Sequence, residues 1–302
     1  ATYPAPISNG ADPAQLIDEA IATAKSADVV LYIGGLNHHG GYDTENIDRP
    51  DLKLPGRQDD LLNQIVRANP KTVVVLIGGG AIEMGPWLSD VPAVLYAWYP
   101  GMEGGNALAN VLFGDVNPSG KLPCTFPKRL ADSPAHALNA YPGKDDVEPY
   151  TEGLLVGYRW FDTKKIEPLF PFGFGLSYTH FDYSNLKFEQ TDDTGHLLKV
   201  SFDIKNAGSR AGAEAAQIYI RQQRPRLPRP DKELKGFEKV FLAAGETKRA
   251  SILLNRDAFS DYDPEQSAWV ADAGTFDILV GSSSRDIRLA GTFTLPEAII
   301  HK

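Results

Sequence analysis

The run YDTENIDRPDLKLPGRQ at residues 42–58 gathers Asp43, Glu45, Asp48 and Asp51 beside Arg49, Pro50, Pro55 and Gly56. Carboxyl groups this close in sequence can do general acid/base work, in which one gives a proton while another stays ionised. They can equally belong to a solvated acidic loop. Arg49 is placed to pair with Asp48 or Asp51 and hold the loop's shape. Pro50, Pro55 and Gly56 fix turns leading into a helix whose first residues include Gln58, Asp59 and Asp60. Asp43 and Glu45 are left with no evident structural partner in the local sequence.

Other residues with chemistry in them have simpler readings. His38 and His39 are adjacent, whereas a helical zinc motif sets His at i and i+4 with a Glu between. With no third ligand in view, neither a metal nor a cofactor is expected. The GGG at 78–80 follows an apolar run but lacks both the second half of a dinucleotide fingerprint and a P-loop Lys. Glu103 in GMEGG opens a helix, where a carboxylate suits the N-terminal dipole. Trp87, Trp98 and Tyr99 offer faces for stacking on a ligand ring, although buried packing is the commoner fate of such residues. The SDY at 260–262, beside DPEQSAWV, reads as a turn. Cys124 is the only cysteine, which excludes a disulfide within the chain and a Cys-based metal cluster; in KLPCTFP it reads as a small buried hydrophobe.

The acidic run needs elements to hold it. DPAQLIDEAIATAKSAD from Asp12 has Pro just inside its start and apolar residues at helical spacing, and VVLYIGG at 29–35 follows as a short β-rich run. RQDDLLNQIVRAN at 57–69 leads to TVVVLIGGG at 72–80, and AVLYAWYPG at 93–101 leads to EGGNALANVLFG at 103–114. Continuous apolar strands alternating with helices predict a mostly parallel sheet with helices on both faces, an α/β sandwich. The acidic run then lies between the first strand and the second helix, in a loop far longer than the ~2–6 residues usual for such a connection. Ligands bind in the crevice at the C-terminal ends of such strands.

After about residue 180 the pattern changes. LLKVSFDIKNAG at 197–208, AEAAQIYIRQ at 213–222, RASILLN at 249–255 and GTFDILVG at 274–281 are short β-rich segments between Gly, Asn and Asp turns. They predict an all-β sandwich of immunoglobulin or fibronectin III-like type. PLFPFGFGLSYTHFDYSNL at 168–186 is too aromatic to hang in water and reads as a packed connector. The expected division is an α/β domain at 1–165, a connector at 166–185 and a β-sandwich at 186–302.

Composition narrows the partners. A chain of 302 residues with 42% hydrophobic and 23% charged residues is an ordinary folded protein. No apolar run approaches the ~18 residues that span a membrane. A net charge of -9 without a Lys/Arg stripe argues against nucleic acid and against an anionic membrane. RQQRPRLPRPDK at 221–232 is basic but isolated and reads as a solvated loop. The opening ATYPAPIS has neither Met nor a signal region, as expected of a processed or truncated product.

ENIDRPDLKLPGRQDDLL at 45–62, WYPGMEGGNALANVLFGDVNPSGKLPCTFP at 98–127, YTEGLLVGYRWFD at 150–162 and PLFPFGFGLSYTHFDY at 168–183 resemble the C-terminal half of glycoside hydrolase family three, the β-glucosidase and β-xylosidase group. The last three stretches are long and stand in the family's order. The resemblance implies an α/β/α sandwich followed by a fibronectin type III-like domain, the layout the pattern also gives. It implies a retaining β-glycosidase, for which a β-glucosidase releasing terminal β-linked glucose is the expectation. In the family the acid/base is a Glu a few residues before an Asp-Arg-like pair. Glu45 stands three positions before Asp48-Arg49 and matches that place, with Asn46 where the family often has Gly and with Asp43 as second candidate.

The family's nucleophile is an Asp on an N-terminal (β/α)8 barrel. This chain contains no barrel, and the family's first sandwich strand is missing before ATYP, so the nucleophile is expected from a barrel portion of the same enzyme, separately encoded or cleaved. His38, His39 and Tyr42 are candidates for lining the sugar site, and the substrate is a β-glucoside or oligosaccharide. Rival readings are a catalytically silent scaffold or carbohydrate-binding module, and the same fold acting on β-xylosides, arabinosides or N-acetylglucosaminides. A periplasmic or extracellular setting is favoured.

Overall fold

The structure is a computed structural model and describes residues 12–37, 43–45, 48–145, 147–191 and 195–301. The chain forms two compact units. Of the described residues, the first holds those up to Leu112 with Lys128–Leu130; the second holds Phe113–Pro127 with those from Ala131 onward.

In the first unit, Asp12 caps helix α1 (Pro13–Ser26) by accepting from the Ala14 N–H at 3.0 Å, and Pro13 brings a backbone angle already set for a helix. Strand β1 (Val30–Gly35), helix α2 (Gln58–Ala68), strand β2 (Thr72–Ile77), strand β3 (Ala93–Trp98) and helix α3 (Gly104–Phe113) follow. The strands form a parallel sheet in the order β1-β2-β3, with Val30 opposite Thr72 and Val73 opposite Ala93. Helix α2 turns Leu62, Ile65 and Val66 inward, the i, i+3, i+4 stripe of an amphipathic helix. Central β2 buries successive residues Val74, Val75 and Leu76, whereas edge strand β1 buries Tyr32 and exposes Leu31 and Ile33. A buried Asn69 fastens the layers: its Nδ2 donates to Ala24 O at 3.0 Å and Ala27 O at 2.8 Å, and its Oδ1 accepts from Lys71 N at 2.9 Å.

The second unit contains the short helices α4 (Pro134–Ala137) and α5 (Tyr158–Thr163), then strands β4 (Phe181–Gln190), β5 (Leu198–Asn206), β6 (Gly212–Gln222), β7 (Glu233–Leu242) and β8 (Thr247–Leu254). Strands β9 (Asp261–Asp263), β10 (Ala268–Ala271), β11 (Gly274–Gly281), β12 (Ile287–Leu295) and β13 (Ile299–His301) complete it. Antiparallel sheets ordered β12-β11-β6-β7 and β4-β5-β8 carry the core, with a small sheet β13-β10-β9 beside them. Alternation decides what faces inward: Leu198, Val200, Phe202 and Ile204 from β5 and Phe276, Ile278 and Val280 from β11 are all fully buried. Among the described residues no helix is long and apolar enough to cross a membrane.

Charge pairs dock the aromatic segment on this sandwich. Asp162 in α5 is buried, takes Lys232 Nζ at 2.8 Å and accepts from Arg285 Nε, whose guanidinium also donates to Phe161 O at 3.0 Å and Ile166 O at 2.9 Å. The Tyr158 ring stacks on Phe172 at 4.5 Å, and its hydroxyl accepts from Leu234 N at 2.7 Å. The basic stretch 221–232 is the solvated loop its composition predicts only in part: residues 223–226 are exposed, but several of its charges are paired. Arg226 pairs with Asp263 at 2.8 Å, a nearly buried Arg229 pairs with Asp261 at 2.7 Å, and Lys232 is buried on Asp162. Sequence-distant carboxylates join the local Asp231 and Glu233 in pairing these charges. The SDY at 260–262 likewise enters strand β9 instead of a turn.

Removing one partner of a buried pair strands the other charge and costs about 3–5 kcal/mol, whereas removing both together with an apolar replacement is far milder. Asp162→Ala should therefore lower the denaturation midpoint strongly, and adding Lys232→Met should recover much of the loss in a chemical denaturation series. A single-variant cost below about 1 kcal/mol would show the pair to be solvent-screened.

Candidate active site

The acidic loop begins where β1 stops. Gly35 has φ +136°, and a Cβ there would lie 1.9 Å from Ile77 O, so only glycine lets β1 and β2 end side by side. Gln58, the first residue of α2, returns to the same point. Its Nε2 donates to Gly35 O at 2.9 Å, and its Oε1 accepts from Gly35 N at 2.8 Å and from the Tyr32 hydroxyl at 3.4 Å. Burial, helped by the Asp59 charge, raises the Tyr32 phenol to about 12, so it remains a donor.

Inside the loop, Asp43 Oδ2 accepts from Gly79 N at 2.8 Å and from the Tyr99 hydroxyl. Gly79 follows β2 and Tyr99 follows β3, so this one carboxylate ties the loop after β1 to the segments leaving the other two strands. The approach is close: a Cβ on Gly79 would sit 2.8 Å from Asp43 Oδ2 and 2.9 Å from the Tyr99 ring. Partial burial, then the hydrogen bond to Asp43 and its charge, push the Tyr99 phenol well above its usual range. Trp98, just before it, holds φ +53°, a left-handed conformation that costs a bulky residue about 1–3 kcal/mol and persists only where surroundings enforce it.

Arg49 corrects a sequence expectation. Its Nη1 donates to Ala81 O at 2.8 Å, and among the described residues it pairs with neither Asp48 nor Asp51. A carbonyl beyond the end of β2, outside the strand ladder, takes the guanidinium. Asp51 instead accepts from Lys53 N at 3.0 Å. Farther along the loop, Glu83 N donates to Leu52 O at 2.7 Å.

Of the two leading carboxylates, Asp43 is anchored, whereas Glu45 is exposed and its side chain bonds to no described residue. Asp48 is exposed in the same way. His38, His39 and Tyr42 lie outside the described residues. Tyr99 and Gln58 were not singled out as partners of the loop, and nothing local to either marks the role: Tyr99 reaches Asp43 across 56 positions and Gln58 reaches Gly35 across 23.

Several other candidates have structural employment. Trp87 is fully buried and donates to Asp59 Oδ1 at 2.8 Å; burial raises the Asp59 carboxyl even though that hydrogen bond opposes the shift. Glu103 accepts from Asn106 Nδ2 at 2.6 Å at the head of α3. Asp261 holds Arg229, and burial pushes the Cys124 thiol up. Among the described residues no three His, Cys, Asp or Glu side chains group as metal ligands.

Residues 5–178 match the glycosyl hydrolase family 3 C-terminal domain, and residues 214–284 match a fibronectin type III-like domain. A β-glucosidase of Rhizobium radiobacter is 46% identical over 93% of this chain, which corresponds to 34% of that protein. A thermostable β-glucosidase B of Acetivibrio thermocellus is 46% identical over 91% of the chain and 36% of its own length. The crystal structure of a β-glucosidase from Kluyveromyces marxianus in complex with glucose superposes with TM-score 0.90 at 38% identity, covering 96% of this chain and 34% of that one. The chain thus spans about a third of the length of the curated relatives it matches.

If Gln58 latches the loop, Gln58→Leu leaves both polar groups of Gly35 unpaired and costs about 1–3 kcal/mol locally. Hydrogen exchange at Gly35 and Leu36 should accelerate accordingly while exchange in β5 and β11 is unchanged. Unaltered protection at Gly35 would dismiss the latch.

Proposed function

The chain belongs to glycosyl hydrolase family 3, and from that premise we propose that it is the acid/base-bearing part of a retaining β-glycosidase, most specifically a β-glucosidase. Glu45 is the acid/base. The nucleophile is an Asp on a (β/α)8 barrel that belongs to the same enzyme and lies outside this chain. The relatives' names support the sugar, and their length leaves room for such a barrel. In this reading the α/β domain of residues 1–165 presents the loop, 166–185 connects, and 186–302 form the sandwich. His38, His39 and Tyr42 line the sugar site.

The observation that carries the assignment is the division of labour between two carboxylates. Asp43 holds Gly79 and Tyr99 through its Oδ2, while Glu45, two residues on, extends from an anchored point with its carboxyl unengaged by the described residues. Two residues of chain span at most about 7 Å, so the anchor confines Glu45 to the C-terminal ends of the strands. Asp48 is as free, but only Glu45 stands where the family's acid/base Glu stands relative to the Asp48-Arg49 pair.

The chemistry needs both halves. The barrel's carboxylate attacks the anomeric carbon as the bond to the leaving oxygen breaks, and Glu45 gives that oxygen its proton. Glu45, now a carboxylate, takes a proton from water, whose oxygen displaces the enzyme's carboxylate from the sugar and restores both groups. The two carboxyl groups of a retaining enzyme lie ~5–5.5 Å apart.

The test joins this chain to its barrel portion. Glu45→Gln should slow glucosides with poor leaving groups about 10²–10⁴-fold, and activated aryl glucosides much less, because only the former need protonation of the departing oxygen. Azide should restore turnover of the activated substrate, since it needs no general base. The 302-residue chain alone should hydrolyse neither. If Asp43→Asn or Asp48→Asn gives the leaving-group dependence and azide rescue while Glu45→Gln matches wild type, the acid/base is that other residue. If xylosides, arabinosides or N-acetylglucosaminides turn over faster than glucosides, the sugar is wrong.

A further inference from the structure

Tyr99 has two possible employments. The residue is 42% exposed beside the acidic loop, a presentation open to stacking on a sugar. Its hydroxyl, however, is committed to Asp43, whose same oxygen receives the Gly79 N–H at 2.8 Å. The two employments differ in which atoms matter: stacking uses the ring face, and holding Asp43 uses the hydroxyl.

We propose that Tyr99 and Asp43 form a positioning pair that preorganises the Glu45 loop, with Tyr99 acting through its hydroxyl on Asp43 and not through its ring on substrate. This rests on the acid/base reading of Glu45. Three features carry it. The pair joins the loop after β1 to the segment that leaves β3, so it fixes the loop against the sheet. Gly79 leaves room for the contact and no more, since any Cβ there would collide with both partners. Trp98 is held at φ +53° immediately before Tyr99, backbone strain located where it delivers the hydroxyl. The raised phenol pKa keeps the Tyr99 hydroxyl protonated as the donor.

A side chain with rotatable bonds delivers its proton only in the fraction of conformers that reach the glycosidic oxygen. Fixing Asp43 two residues upstream removes most of that freedom before substrate arrives, which is how positioning lowers a barrier without contact. The effect should fall on proton delivery and leave ground-state binding alone.

Tyr99→Phe keeps the ring and removes the hydroxyl. In the assembled enzyme it should lower kcat about tenfold for glucosides with poor leaving groups, as expected for one lost hydrogen bond to a charged group, with KM unchanged. Activated aryl glucosides should change less than about twofold. In a Glu45→Gln background, adding Tyr99→Phe should cost no more than about twofold further, since a misplaced acid cannot matter once the acid is gone. Asp43→Asn, which can still accept from Gly79, should give the same pattern more weakly and serves if Tyr99→Phe folds poorly.

The proposal is overturned if Tyr99→Phe matches wild type, if its loss appears in KM, or if its effect multiplies with that of Glu45→Gln. These outcomes leave the leaving-group signature of Glu45→Gln intact, so they are distinct from failure of the acid/base assignment. A wild-type-like Glu45→Gln would sink both.

Discussion

Gln58 makes the loop of residues 36–57 leave the sheet and return to it at one residue, Gly35, through hydrogen bonds in both directions. A long loop is entropically cheap to lengthen, because closure cost grows only with the logarithm of its length, but its ends must meet. Here they meet on a glycine that packs directly against Ile77. With the ends fastened, one interior contact is enough to give the loop an orientation, and the Asp43 carboxylate makes it. Asp43 thereby ties the acidic run to the segments that leave β2 and β3. The two carboxylates divide accordingly into one that holds and one that is exposed and bonded to no described residue.

The second unit solves a different problem by a similar device. Its aromatic segment from Tyr158 to Phe174 carries too much apolar surface to stand alone, and stacking of Tyr158 on Phe172 supplies contact without direction. Direction comes from Asp162, which can satisfy Lys232 and Arg285 only when α5 sits at one place on the sandwich. Burying these charges is costly, and a buried pair is weak evidence for net stability. Its contribution is a single docking geometry. The neighbouring pairs of Arg226 and Arg229 extend the pattern to the small sheet.

Much of this was legible from residue patterns. The helices at Pro13–Ser26, Gln58–Ala68 and Gly104–Phe113, and the strands between them, follow from apolar periodicity and from caps such as Asp12. Strand β8 alternates cleanly, whereas β6 and β11 bury the consecutive residues 216–220 and 278–281; these strands and β5 were readable from their β-rich composition between turn residues. Strand β4 was not: Asn185 sits at φ +56° and the register slips between Ser184 and Lys187, so the period of two is broken midway. The site was half legible. Types and spacing, aided by the resemblance, singled out Asp43 and Glu45, but their separation into anchor and free carboxyl depends on Gly79 and Tyr99, which only folding brings near. Arg49 shows the same limit, since local sequence offers Asp48 and Asp51 as partners and the fold gives its guanidinium the Ala81 carbonyl.

The central claim is that Asp43 holds the loop while Glu45 meets the substrate. The most direct measurement is a crystal structure of the assembled Glu45→Gln enzyme with an intact β-glucoside bound. The account predicts the residue-45 side chain within about 3 Å of the glycosidic oxygen, with Asp43 still accepting from Gly79 N and the Tyr99 hydroxyl. An Asp43 carboxylate released from Gly79 and lying on the glycosidic oxygen, with residue 45 turned to solvent, would contradict it.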